Sequence, residues 1–302
     1  MILFAPTANR CRICLLLFLS SALLALPAYS RELNERFVTG TEARLDLSNI
    51  SGEIVISGWD KGEVHLTGEL DDRAQIEAQQ ENQRVNIKVT RKKGVGRMGD
   101  SDLNLKVPFD SELSVYAVSS DLEVEKVIGV QRLEVVSGDI KVTDFEADLH
   151  VKSVSGDILL QGKELATEVS IVSVSGDTEV FNSAGEVDIT SVSGRTELTG
   201  SNFDRVEVNS TSGSVVFKGG LSPDSRFDAE AVSGNVSLDL DSGSELDVEV
   251  ETFSGAIRNC SGEKATRKSK YGPGQLLQFS RGASSQDIRI RSMSGNVNIC
   301  AP

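Results

Sequence analysis

The chain has 302 residues, with 31 Lys and Arg against 45 Asp and Glu, a net charge of −14. That acidity repels phosphate backbones and anionic lipid surfaces, which argues against a nucleic-acid or membrane-surface partner. Aromatic residues make up 5% and Trp59 is the only tryptophan, so a broad aromatic binding platform is not expected.

At the N-terminus, Arg10 and Arg12 precede an apolar run of fourteen residues, Ile13 to Leu26, followed by Ala28-Tyr29-Ser30. This is the pattern of a signal peptide cleaved before Arg31. The run is short for a membrane span, which needs about 20 apolar residues. Without residues 1–30, 29 basic and 45 acidic residues remain, a net charge of −16. No other stretch reads as a membrane span. The expected location is the periplasm, with release from the cell or surface display as the alternative.

Residues 31–118 repeat poorly and are expected to form a more sheet-like section that caps the regular repeats. Ile50-Ser51-Gly52-Glu53-Ile54 reads as the first unit of a repeat. Residues 63–67 and 84–89 alternate as strands. Residues 71–83 are polar and could hold a short helical turn. Residues 91–100 are basic and Gly-rich, which predicts a loop, and residues 103–108 predict a strand ending at Pro108.

From Ser119 to the end, residues 119–302, a short phrase returns. Val136-Ser137-Gly138-Asp139, Val154-Ser155-Gly156-Asp157 and Val174-Ser175-Gly176-Asp177 are its clearest copies. Successive glycines lie 18, 20, 18, 19, 21, 21 and 40 residues apart. A fixed period of this size marks a stacked-repeat architecture. Six and four residues before each Ser the chain is apolar, as at Val169 and Ile171, and three and five after it again, as at Ile158 and Leu160. Polar residues lie between, the period-2 pattern of a half-buried strand. Each repeat therefore predicts two short strands meeting at a Gly-supported kink. One rung cannot bury its own inner face, but stacked rungs can. The expected fold is all-β: a β-solenoid of about 8–10 rungs, rising about 4.8 Å per rung. The repeated Ser is expected to fill a narrow inner column at the corner.

The 40-residue gap between Gly255 and Gly295 is read as an insertion near residues 261–280, with a side strand around 276–279. Cys260 and Cys300 each lie six residues after a repeat Ser. If those rungs are neighbours, the two cysteines sit side by side, within disulfide range. An exported chain meets an oxidising compartment, so a Cys260–Cys300 disulfide is expected.

These residues carry a resemblance. The segments SGEIVISGWDKGEV and LNLKVPFDSELSVYAVSSDLEVEKV, with the repeats from VVSGDIKV onward, resemble bacterial adhesin-type β-solenoid domains of uncharacterised function. The resemblance spans nearly all of residues 31–302. It implies a β-helical fold and transfers no catalytic residue.

Chemistry is sparse. His65 and His150 alternate with apolar neighbours, which places both on outward strand positions outside any metal or nucleophile motif. Asp139, Asp157 and Asp177 should form a column whose oxygens could hold Ca²⁺. The column breaks at Arg195, Ser214, Asn235 and Ala256, so turn chemistry is the expected reading. No cofactor is expected. Asp188, Glu207, Asp228 and Glu249 should share an outward column, with Glu230 and Glu251 two residues further along their strands. This is the candidate interaction face. The expected function is that of a non-enzymatic, exported β-solenoid with a structural, adhesive or signalling-related role, its partner an envelope protein or polysaccharide. A β-helical polysaccharide-acting enzyme is the alternative.

Overall fold

A computed structural model describes residues 30–241, 245–269, 272–282 and 286–301; the rest of the expected signal peptide lies outside them. Every regular element among the described residues is a β-strand. No helix among the described residues is long and apolar enough to cross a membrane.

The rungs stack in parallel. Equivalent strands pair 18–21 residues apart, as in Leu149↔Gln131 and Leu149↔Val169. Within a rung, inner residues alternate with outer ones on both sides of the corner. In Leu149–Ser155 and Ile158–Gly162, Leu149, Val151, Ser153, Ile158 and Leu160 are all buried. These columns form one continuous apolar core from Leu33 to Ala301. Stacking buries what a single rung would leave wet, and the strands' backbone groups find partners in the rungs above and below.

Two kinds of turn close each rung. At the Ser-Gly corner the glycines are left-handed, with φ of +126° at Gly156 and +121° at Gly176. At the opposite corner non-glycine residues take up the left-handed backbone: Asp144, Asn182, Asn202 and Asp224 among them, with φ of 52–60°. Asn and Asp tolerate this region best because their short side chains bond locally.

The corner corrects one expectation. The repeated Ser is exposed, and the narrow inner column lies two residues earlier, at Ser153, Ser173, Ser191, Ser210 and Ser292, each at most 5% exposed. Strand alternation explains this: when positions four and two residues before the corner point inward, the next inward position is taken by the bend itself.

At the N-terminal end, Arg44–Trp59 lies between Glu112–Glu125 on one side and the pair Arg84–Arg91 and Asp102–Pro108 on the other. Glu63–Asp71 covers Asp102–Pro108 in antiparallel fashion, and Ser30–Val38 covers Glu63–Asp71. Residues 71–83 do not form a helical turn. Ala74–Glu81 is a strand antiparallel to Arg84–Arg91. Its inward set, Ala74, Ile76 and Ala78, is too weakly apolar to show in the sequence, yet the open edge of Arg84–Arg91 requires a cover.

The C-terminal end holds the main surprise. The corner serines stack in the order 51, 119, 137, 155, 175, 193, 212, 233, 294, 254. The last rung in the chain is therefore not the last in the stack. Gln286–Ser294 lies between Val215–Ser233 and Leu246–Ser254, pairing in parallel with both. Gln275–Arg281, within the expected insertion, then caps Leu246–Ser254 as an antiparallel strand. Cys260 and Cys300 form a disulfide with Cα atoms 5.0 Å apart, joining the outermost rung to the inserted one. It closes a loop across 40 residues. Opening such a loop costs about 4 kcal/mol in the chain-entropy picture. Cys260→Ser is therefore expected to lower stability by about that amount, read as an earlier midpoint in non-reducing urea unfolding. The parent chain under reductant should fall to the same midpoint.

Candidate functional site

The outer face of the strands that precede each corner carries the chemistry. Along each strand, alternate side chains point to solvent, so successive rungs build parallel outward columns.

The column immediately before the corner Ser is apolar and exposed. In stack order it runs Val136, Val154, Val174, Val192, Thr211, Val232, Met293, Phe253, with exposures of 36–59% for its hydrophobic members. The signal for this ladder lies in the strand alternation. If Val151 and Ser153 face inward, Val154 at the next odd step must face outward.

Next to the ladder lie the charged columns, and here the stacking order changes the expected picture. Asp188, Glu207 and Asp228 do share one column, in direct register. Glu249 is separated from Asp228 by Arg289, and Glu251 from Glu230 by Arg291. The expected unbroken acidic stripe is therefore an alternation of sign at its C-terminal end. Ion pairs reinforce it: Arg205–Glu207 at 2.6 Å, Arg226–Asp228, Arg289–Asp287 at 3.0 Å, Arg291–Glu230 at 3.0 Å and Lys268–Glu251 at 2.5 Å. Like charges opposed across strands cost stability, and the inserted arginines remove that cost. Where no arginine intervenes, like charges stay opposed. The Asp188 carboxyl is held above its ordinary range by partial burial and then by the Glu207 charge.

Two shallow grooves run over this face. One, of about 560 Å³, is lined by Val232, Met293 and Phe253 on the ladder side and by Glu230, Arg291 and Glu251 on the charged side. The other, of about 490 Å³, lies among Arg205, Glu207, Arg226 and Asp228. The surface is thus an apolar rail beside a charged row that is acidic from Asp188 to Asp228 and alternates in sign beyond it.

Elsewhere the expected candidates have structural work. Asp139, Asp157 and Asp177 do stack, with Asp121 in register, and each carboxylate accepts the backbone N–H of the next rung. Asp139 Oδ1 accepts from Asp157 N at 2.8 Å, Asp157 Oδ1 from Asp177 N at 2.8 Å, and Asp177 Oδ1 from Arg195 N at 2.8 Å. Asn235 and Asn296 continue the ladder further up the stack. The Asp of the repeated phrase therefore ties one corner to the next. Among the described residues no group of three or more His, Cys, Asp or Glu converges as a metal site.

His65 and His150 stand on outward strand positions. His65 stacks on Trp59, with ring centroids 6.1 Å apart, and its Nε2 lies 3.0 Å from Asn34 Oδ1. Its pKa is lowered by partial burial and by the positive charge of Arg36. Lys61 lies over the Trp59 ring at 4.7 Å. No acid–base pair or nucleophile is assembled around either histidine.

The Toastrack DUF4097 family model matches residues 43–300. The chain belongs to that family. Its match begins at Ala43, just ahead of the Arg44–Trp59 rung, and ends at the disulfide cysteine Cys300, so the inserted C-terminal rung falls within the Toastrack unit. Two solved structures are similar to this Toastrack chain. One is described as a candidate cell adhesion protein from Clostridium sporogenes ATCC 15579, at 12% identity, covering 90% of this chain and 100% of that one, with a TM-score of 0.21. The other is described as a candidate adhesin from Bacteroides fragilis NCTC 9343, at 9% identity, covering 90% and 98%, with a TM-score of 0.37. No curated protein matches the chain.

Proposed function

We propose that this Toastrack protein is an exported, non-enzymatic interaction module of the cell envelope, acting in the periplasm and docking a partner protein along its apolar rail. The observation that carries the reading is the ladder from Val136 to Phe253. A contiguous exposed apolar row of this kind marks an interaction surface on a soluble protein. The residues are mostly aliphatic, which suits a protein strand or helix edge better than a polysaccharide, whose sugars favour aromatic platforms. The charged row beside the rail, with the acids Asp188, Glu207, Asp228, Glu230, Glu249 and Glu251, would set the partner's register.

Photo-crosslinking amino acids placed at Val192 and Phe253 in intact cells test this. The expected result is a discrete protein adduct at both positions and none at Glu179, which lies on the outer side of the strands after the corner. Val192→Asp is expected to reduce the Phe253 adduct at least about tenfold, since a buried unpaired carboxylate costs more than the 1.4 kcal/mol that corresponds to a factor of ten. Adducts without positional preference, adducts to polysaccharide alone, or turnover of an acidic polysaccharide by the pure protein would overturn the reading.

A further inference from the structure

The inserted C-terminal rung occupies a slot whose two walls are both built earlier in the chain. On one wall Phe227 pairs with Ile288, and on the other Val248 pairs with Ile288, 61 and 40 residues away. Val297–Cys300 is held in the same way between Val236–Leu240 and Ile257–Asn259. Nothing in the repeat length demands this. Ser254 follows Ser233 by 21 residues, as Ser233 follows Ser212, so the Ser254 rung could have stacked directly on Ser233.

Direct stacking would oppose Asp228 to Glu249 and Glu230 to Glu251, extending the like-charge run that Asp188, Glu207 and Asp228 already form. The inserted strand instead places Arg289 between the first pair and Arg291 between the second. Its inward residues Ile288, Ile290 and Val297 are fully buried. Both walls also bond its backbone: Gly234 N donates to Ser294 O at 3.0 Å, and Gly295 N to Ser254 O at 3.0 Å. Recognition of residues 286–301 thus rests on two acidic pairs, an apolar inner face and backbone edges. None of these depends on which chain supplies the strand.

We propose that the slot between the Ser233 and Ser254 rungs is a strand-acceptor site that takes residues 286–301 of a second copy of this chain. This is strand addition to open sheet edges, keyed by the two arginines. The Cys260–Cys300 disulfide is the latch: formed within one chain it holds the strand at home, and while the thiols are reduced the slot is open to exchange.

The test uses two single-cysteine partners, Cys260→Ser and Cys300→Ser. They are unfolded together in urea with reductant, refolded, and then oxidised with glutathione disulfide, which takes the two thiol electrons. In this mixture any Cys260–Cys300 bridge must join two chains. Peptide mapping distinguishes it from links through Cys11 or Cys14, and circular dichroism checks that both chains fold. The expected result is a Cys260–Cys300 heterodimer whose yield rises with protein concentration. Arg289→Glu with Arg291→Glu on the Cys300 chain should cut that yield roughly tenfold, since the Arg291–Glu230 ion pair is lost and all four acidic cross-strand neighbours of the two positions then face like charge. If that donor fails to fold, Arg289→Gln with Arg291→Gln takes its place, with a smaller loss in the same direction. Absence of the bridge, or a yield indifferent to both arginine pairs, overturns the proposal.

Discussion

Gly176→Ala is expected to destabilise the stack by about 3–5 kcal/mol, from backbone strain added to steric overlap. Gly176 has φ of +121°, a region that side-chain-bearing residues rarely adopt. An added Cβ would also lie 2.2 Å from the Gly156 carbonyl oxygen in the rung below. That oxygen belongs to backbone locked in the ladder, so it cannot step aside as a flexible side chain would. The same clash recurs at the neighbouring rung, where a Cβ on Gly194 would meet Gly176 O at 2.0 Å. Gly96→Ala is the control, because its Cβ would meet open space in the 91–100 loop. Urea unfolding followed by circular dichroism should show a clear loss for Gly176→Ala and a change within about 0.5 kcal/mol for Gly96→Ala. Equal midpoints for the two would refute the view that the corner glycine is required by the approach of rungs.

Phe217→Ala is the second large effect, about 3–5 kcal/mol. Phe217 is 1% exposed and packs against Phe203 at 5.5 Å and Phe227 at 5.1 Å between ring centroids. The rungs here bulge, with register shifts between Gly200 and Arg205, and the three rings fill the widened layer. Truncation leaves a cavity that rigid backbone ladders on both sides cannot collapse. A fall in Tm on the order of 10 °C follows for a domain of this size. Phe217→Leu, which keeps most of the volume, should cost under about 1.5 kcal/mol. A loss of less than about 1 kcal/mol for Phe217→Ala would show that the layer can close around the gap.

The two substitutions probe features of unequal visibility. The corner glycine could be read directly, since Gly recurs where an alternating pattern breaks and a kink needs left-handed backbone. The inner columns of Val, Ile and Leu were readable for the same reason: a period of two within a period of about twenty leaves little freedom over which side chains face inward. The Cys260–Cys300 pair was readable because both cysteines occupy the same position in the repeat frame. Of the aromatic cluster, Phe217 and Phe227 were readable as inward positions of the frame, but Phe203 was not, because bulges on either side of it shift the register and leave no periodic trace.

The candidate face was readable only in part. Asp188, Glu207 and Asp228 were placed in one column by counting alone, and the structure keeps them there. Their relation to Glu249 and Glu251 was not, because counting assumes that rungs stack in chain order. The apolar rail followed from the same alternation, yet a Val before Ser-Gly looks like core until the corner's geometry turns it outward.

Taken alone, the sequence determined the local grammar of this protein: two strands per rung, a glycine corner, the inward columns, and a disulfide between equivalent positions. These depend on neighbours within a few residues or on one repeat length, and alternation encodes both. Tertiary structure decided the order of the last rungs, the caps at both ends and the sign pattern of the outer face. The rungs of Ser233, Ser254 and Ser294 carry the same corner and the same inward alternation, so counting along the chain does not fix their order across the stack. Only the folded chain, with Arg289 and Arg291 seated between two acidic pairs, makes that choice visible.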